Sequence, residues 1–265
     1  MEDLRAVELY ARFRQSRHQV GTKYAYAEYH DFSHGGTYPR NALPFVEIAE
    51  EQARELANSV NDFCRYLHDL RAWERLLAAL DQEEQVDVLL EFLLPICFFC
   101  LGAPYALKGK LHTSIAEVSH QANRFLLAVW KGDANLSKPN FKTAERYAKY
   151  WSSWPAVAAS LAKLSDHQYV KASDDFRNRF NHGYPRRIEC GLTGVVGRKV
   201  GAGGSVAYSF GFAPPLRIAD ILPHLEQQYS AALESYNAYV ELLKEQHGRL
   251  IANPALQGMP ASGHP

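Results

Sequence analysis

From about Ile218 to Ile251, the side chains Ile221, Leu225, Tyr229, Leu233, Tyr236, Val240, Leu243 and Leu250 recur at helical spacing. That spacing places them on one face of a single long α-helix. A helix of this length with one apolar face has to bury it against other helices, which restricts the chain to a helical bundle. Pro223 falls in or near its first turn, where a missing N–H costs least.

Earlier segments repeat the pattern. Residues from about Asp3 to Arg17 carry Leu4, Val7, Tyr10 and Phe13 as a stripe. A second long helix is predicted to begin near Pro44, capped by Asn41, with Leu56, Val60, Phe63, Leu67, Leu70 and Leu77 along one face. After Asp81 an apolar helix runs to Leu101, and Gly102-Ala103-Pro104 is expected to stop it. Leu107, Leu111, Ile115, Val118, Phe125, Leu126 and Val129 form the next stripe. Lys138-Pro139 and Trp154-Pro155 punctuate shorter helices containing Tyr147, Tyr150 and Trp151. Between His18 and Asn41 the aromatic and Gly-rich composition predicts a long loop packed by Tyr24, Tyr26 and Tyr29.

Asp166 to His182 contains no Gly or Pro and reads as one helix, closed by Gly183 in the left-handed conformation. From Cys190 to Phe212 glycines separate short β-prone runs, Val195-Val196 and Val206 to Phe210, which predicts a β-hairpin. The fold class is therefore all-α, a helical bundle with a Gly-rich β-hairpin inserted before the last long helix. Residues 1–252 are read as a single helical domain, and the Pro-, Gly- and Ala-rich 253–265 as a disordered tail.

Composition narrows the function. In 265 residues, 29 basic and 29 acidic side chains cancel, so net charge cannot drive polyanion binding and any such role needs a local patch. Cys64, Cys97, Cys100 and Cys190 do not make a disulfide framework. The first residues, Met-Glu-Asp-Leu-Arg, lack the pattern of a signal peptide. The apolar stretch Val86 to Leu101 is short for a bilayer and broken by Asp87, Glu91 and Pro95, so it reads as a buried core helix. The expected location is the cytoplasm, with no membrane contact.

The local patch lies in 177–199, where six basic residues accompany one acidic residue, Glu189. On a helix Asn178 and His182 share a face, so the amide could fix the imidazole tautomer, and Phe176 and Phe180 would pair towards the core. Arg177 lies about 140° away from His182 around the helix, because five residues turn through about 500°. A histidine at a helix C-terminus beside arginines can serve as a general acid, while arginine grips phosphate oxygens. RNA carries its own nucleophile, the 2′-OH, so cleavage needs proton transfer and charge stabilisation rather than a metal-bound water. The plain alternative is a basic helix C-terminus favoured by the dipole.

Other candidates read more simply as structure. Cys97-Phe98-Phe99-Cys100 has zinc or redox spacing in an apolar setting without a second ligand pair, which favours buried cysteine. His30, Asp31 and His34 would hold a metal only if helical, and their surroundings favour a loop. Gly201-Ala202-Gly203-Gly204-Ser205 lacks the lysine and helix of a phosphate loop and favours a hairpin turn. Tyr24, Tyr26 and Tyr29 could stack bases or simply pack their loop.

Arg177-Asn178-x-x-x-His182 near the end of the penultimate long helix, in an all-helical chain, resembles the R-x(4–6)-H signature of HEPN domains. The resemblance covers about 105–251, with 1–104 as an amino-terminal extension. It implies a bundle that dimerises so that two such helices face each other, and metal-independent RNA endonucleases of toxin–antitoxin, phage-defence and RNA-processing systems. Other members have lost catalysis and serve as binding modules. Carried over, Arg177 and His182 are the catalytic pair and Asn178 their polar support. Arg179, Tyr184, Arg186, Arg187, Arg198 and Lys199 would then bind RNA phosphates. No cofactor is expected. RNA, a second copy of the chain and an antitoxin or regulatory protein are the expected partners.

Overall fold

The computed structural model describes residues 3–21, 23–32, 42–127, 130, 139–194, 196–211 and 213–252, apart from the side chains of Lys199 and Ala202. The expectations for Asn41, His34, Gly35-Gly36, Val129, Lys138 and the 253–265 tail lie outside the described residues. The chain is mostly helical. Its helices are α1 (Asp3–Val20), α2 (Leu43–Leu77), α3 (Gln82–Val88), α4 (Leu94–Leu126), α5 (Phe141–Ala148), α6 (Trp154–Lys163), α7 (His167–Ala172), α8 (Phe176–His182) and α9 (Ile218–Ile251). A π-helical turn, Leu89–Leu93, joins α3 to α4. Strands β1 (Val196–Val200) and β2 (Val206–Phe210) form one antiparallel pair.

Most of the predicted stripes are buried. Leu56, Val60, Phe63, Leu67, Leu70 and Leu77 all turn inward on α2, and Trp73 fills the gap in their spacing. On α9 the predicted residues are buried except Leu233, which is half-buried. The first stripe is displaced: α1 buries Leu9, Phe13 and Ser16, while Leu4, Val7 and Tyr10 stay exposed. Leu9, Phe13 and Ser16 keep the four-then-three spacing of one helix face.

Gly102-Ala103-Pro104 does not stop a helix. Gln82–Leu126 is one continuous helical stretch, long and apolar enough by length and composition to cross a membrane. Proline inside a helix costs about 3 kcal/mol. Leu107, Leu111, Ile115 and Val118 beyond it are all buried, and each contributes about 1.5–3 kcal/mol, so continuation wins. The Tyr169 hydroxyl donates to the Leu101 carbonyl at 2.7 Å, supplying a partner close to the interrupted backbone.

The chain divides into two compact units. One comprises 1–25, 63–103 and 165–228. Its core holds Trp73 stacked between Phe13 (4.3 Å) and Phe92 (5.3 Å). Cys97 and Leu101 pack there with Ile188, Leu216 and Ile221 around a small apolar cavity. The other comprises 26–62, 104–164 and 229–265. There Asn123 is buried between two aromatic partners: it accepts from Trp151 Nε1 at 3.0 Å and donates to the Tyr147 carbonyl at 2.8 Å. Of the predicted tyrosine loop, residues 26–32 belong to this unit and have no regular secondary structure, with Ala27 bonded through both backbone groups to the Asn61 amide and Tyr29 donating to Asn58.

Candidate functional site

The predicted helix 166–182 is two helices. After α7 the Asp175 N–H donates to the Val170 carbonyl (2.7 Å) and the Asp174 N–H to the Lys171 carbonyl (3.2 Å). That pair of bonds closes a Schellman motif, whose following residue must be left-handed. Glycine usually takes the position. Here Asp174 has φ 53° and Asp175 φ 50°, a conformation aspartate tolerates better than most residues. Without a glycine to mark it, the break was invisible in the sequence.

α8 therefore has seven residues and a single buried anchor, Phe176. Phe98 lies 5.6 Å from the Phe176 ring and 5.2 Å from Phe180, which stacks on Phe176 but remains 52% exposed. The expected inward pair is thus only half inward. Gly183 is extended (φ −163°) rather than left-handed, and its N–H closes the helix on the Arg179 carbonyl at 2.8 Å. Pro185 disfavours the helical region for Tyr184 before it, which accounts for the exit without a left-handed residue.

Arg177, Asn178 and His182 are all exposed on α8. The Asn178 amide donates to Asp175 at 3.1 Å, one turn back, instead of reaching His182. Among the described residues no hydrogen bond reaches the His182 ring. Arg177 and His182 are separated by five helical positions, so one copy of α8 directs them to different sides.

A cleft of about 680 Å³ opens beside them. One wall is apolar, from Leu89 and Leu90 of the π-helical turn with Leu94 and Phe98 of α4. The other carries Arg179, Tyr184, Arg186 and Arg187 with the segment Cys190–Gly194. Four of the predicted phosphate-binding residues therefore share one cleft, and the three predicted catalytic residues are not among its lining.

The lining arginines differ in how they are held. Arg179 pairs with Asp174 at 3.2 Å. Arg186 donates to the carbonyls of Pro214 (2.7 Å) and Pro215 (3.1 Å), which hold the guanidinium without neutralising it. Arg187 is exposed, and its stem passes so close to Gly191 (φ 96°) that a Cβ there would lie 3.2 Å from its Cγ. Tyr184 is 87% exposed. Arg198 is exposed on β1, and the Lys199 side chain lies outside the described residues.

Glu189, the one acid in the basic run, is spent on structure. It accepts from the Ile218 backbone N–H at the start of α9 and from Arg217 at 3.0 Å. Carboxylates favour a helix N-terminus, and this one leaves the cleft side basic. Sequence reasoning missed that role, together with the Leu89–Phe98 wall, because both depend on segments meeting across more than 25 residues.

The alternatives fare as structure. Cys97 and Cys100 are buried free thiols. Burial pushes Cys97 up to about 12 and Cys100 well above the usual thiol range, so neither is ready to ligate or react. Gly201–Ser205 is the turn joining β1 to β2, with a 3₁₀ segment Ala202–Gly204. Among the described residues no cluster of three or more His, Cys, Asp or Glu side chains could hold a metal ion. Comparison with models of known families, with curated proteins and with solved structures finds no match to this chain.

Proposed function

We propose that the chain is a metal-independent RNA endonuclease of the HEPN type, acting as a homodimer in the cytoplasm, with β1–β2 as a hairpin inserted in the bundle. The observation that carries this reading is a short helix offering Arg177, Asn178 and His182 to solvent beside a cleft with an arginine- and tyrosine-rich wall. In the reaction, the 2′-oxygen attacks phosphorus as its proton passes to an imidazole, the P–O5′ bond breaks, and the 5′-oxygen takes a proton. His182 serves as base or acid and Arg177 balances the negative charge on the phosphorane. The products are a 2′,3′-cyclic phosphate and a 5′-hydroxyl.

Because one α8 directs Arg177 and His182 apart, the working site pairs the Arg177 of one copy with the His182 of the other. A toxin or phage-defence role, restrained by an antitoxin or regulatory protein, fits an enzyme whose substrate is the cell's RNA. Purified protein incubated with end-labelled RNA in EDTA should yield fragments ending in 2′,3′-cyclic phosphate. Persistence of the same fragments in both His182→Ala and Arg177→Ala would sink the assignment.

A second reading is a catalytically silent module that binds RNA, a nucleotide or a protein through the same patch. It is favoured by the cleft lining, which holds Arg179, Tyr184, Arg186 and Arg187 rather than His182, and by the engagement of Asn178 with Asp175. Retention of RNA without any cleavage, weakened by Arg187→Ala but not by His182→Ala, would select it.

A further inference from the structure

β1 and β2 are exposed to water along most of both strands, although a lone two-stranded pair is at best marginally stable. Directly opposed residues in an antiparallel pair share a face. The register sets Val196 opposite Phe210, Arg198 opposite Tyr208 and Val200 opposite Val206, so one face is built from these six side chains. All six are exposed, Tyr208 by 63% and Phe210 by 83%. The opposite face is small and polar where Gly197 meets Ser209.

We propose that the Val196–Phe210 face is a stacking platform for single-stranded RNA that feeds the strand into the cleft. The inference rests on reading the chain as a protein that acts on RNA. Its geometry comes from the pairing ladder. Beyond the root of the arm, where Val196 opposes Phe210, an isolated bridge joins Thr193 to Ala213. Thr193 and Gly194 line that cleft. A strand stacked from Tyr208 to Phe210 runs towards the root of the arm, the end nearest the cleft-lining Gly194 in the chain.

Three features select the occupant. Exposed rings accept any unpaired base, whereas a duplex keeps its bases stacked on each other. From 190 to 219 the chain has no acidic residue, while Arg198, Lys199 and Arg217 are basic, which complements a polyanion. The same charge opposes two copies docking arm to arm, because each would bring Arg198 and Lys199 with no carboxylate on the arm to pair them. A membrane-inserting loop would carry its bulk at the tip, but the tip here is Gly201-Ala202-Gly203-Gly204-Ser205 and the rings sit towards the root.

The test uses the full chain and fluorescence anisotropy with a labelled twelve-nucleotide single-stranded RNA, its duplex form, and vesicles containing phosphatidylserine. Tyr208→Ala and Phe210→Ala should each weaken single-strand binding by on the order of tenfold, and Tyr208→Phe should restore it. The rings are exposed, so both variants should melt at the wild-type temperature. Duplex bound as tightly as single strand, ring variants that bind like wild type, or a wild-type chain that binds no RNA overturns the platform. Vesicle binding lost in the same variants would assign the face to a membrane instead. If no RNA is cut but the ring variants bind weakly, the platform stands and the nuclease reading falls. If a chain carrying both Tyr208→Ala and Phe210→Ala cuts RNA with unchanged KM, the nuclease stands and the platform falls.

Discussion

His182 and Arg177 are exposed, so their removal should separate chemistry from folding. His182→Ala and Arg177→Ala are each expected to reduce RNA cleavage by about a hundredfold or more while changing stability by less than about 0.5 kcal/mol. Cleavage rates beside denaturant melts check both halves. Glu245 is the opposite case. Burial would raise its carboxyl, but the Ser153 hydroxyl and the backbone N–H groups of Ser152 and Ser153 outweigh that and hold it at about 2 against the ordinary 4.5. The bonds, 3.0 Å to Ser152 N and 2.8 Å to Ser153 N, hold the turn that leads into α6. A depressed carboxylate contributes its full stability above 4.5 and loses it as pH falls towards 2. Glu245→Gln should lower neutral-pH stability by about 1–3 kcal/mol and flatten the melting temperature across that acid window. Nothing in the sequence marked Glu245, because its partners lie 92 and 93 residues away.

At the level of elements, helices announced by periodicity were legible and interruptions made by unusual residues were not. α9 was read over its whole span because its apolar face repeats through Leu250. The α7–α8 break was not, since Asp174 fills a place glycine would have signalled. Asp174→Gly should remove a left-handed penalty of about 1 kcal/mol, little offset by losing an exposed ion pair with Arg179. Asp174→Val should cost about 1–2 kcal/mol and loosen α8. Thermal melts of the two variants, moving in opposite directions, check the motif, and equal melts would rule it out. Gly102-Pro104 erred the other way: a local stop signal was outweighed by buried side chains on either side of it.

For the whole molecule, the proposed site is a property of two chains. Mixing inactive Arg177→Ala and His182→Ala proteins and allowing exchange should recover about a quarter of wild-type cleavage, since about half the dimers are mixed and each mixed dimer has one complete site. No recovery would mean that each copy works alone or not at all. The sequence by itself determined the helical class, the spans of α2 and α9, and the concentration of basic residues between 177 and 199, because periodicity and composition are properties of neighbours in the chain. Tertiary structure decided which of those residues share the cleft, that Glu189 serves α9, that the Asn178 amide turns to Asp175, and that the face of β1 and β2 stands open to water. Those outcomes depend on segments that meet only after folding, where burial and hydrogen bonding between distant residues override local preference.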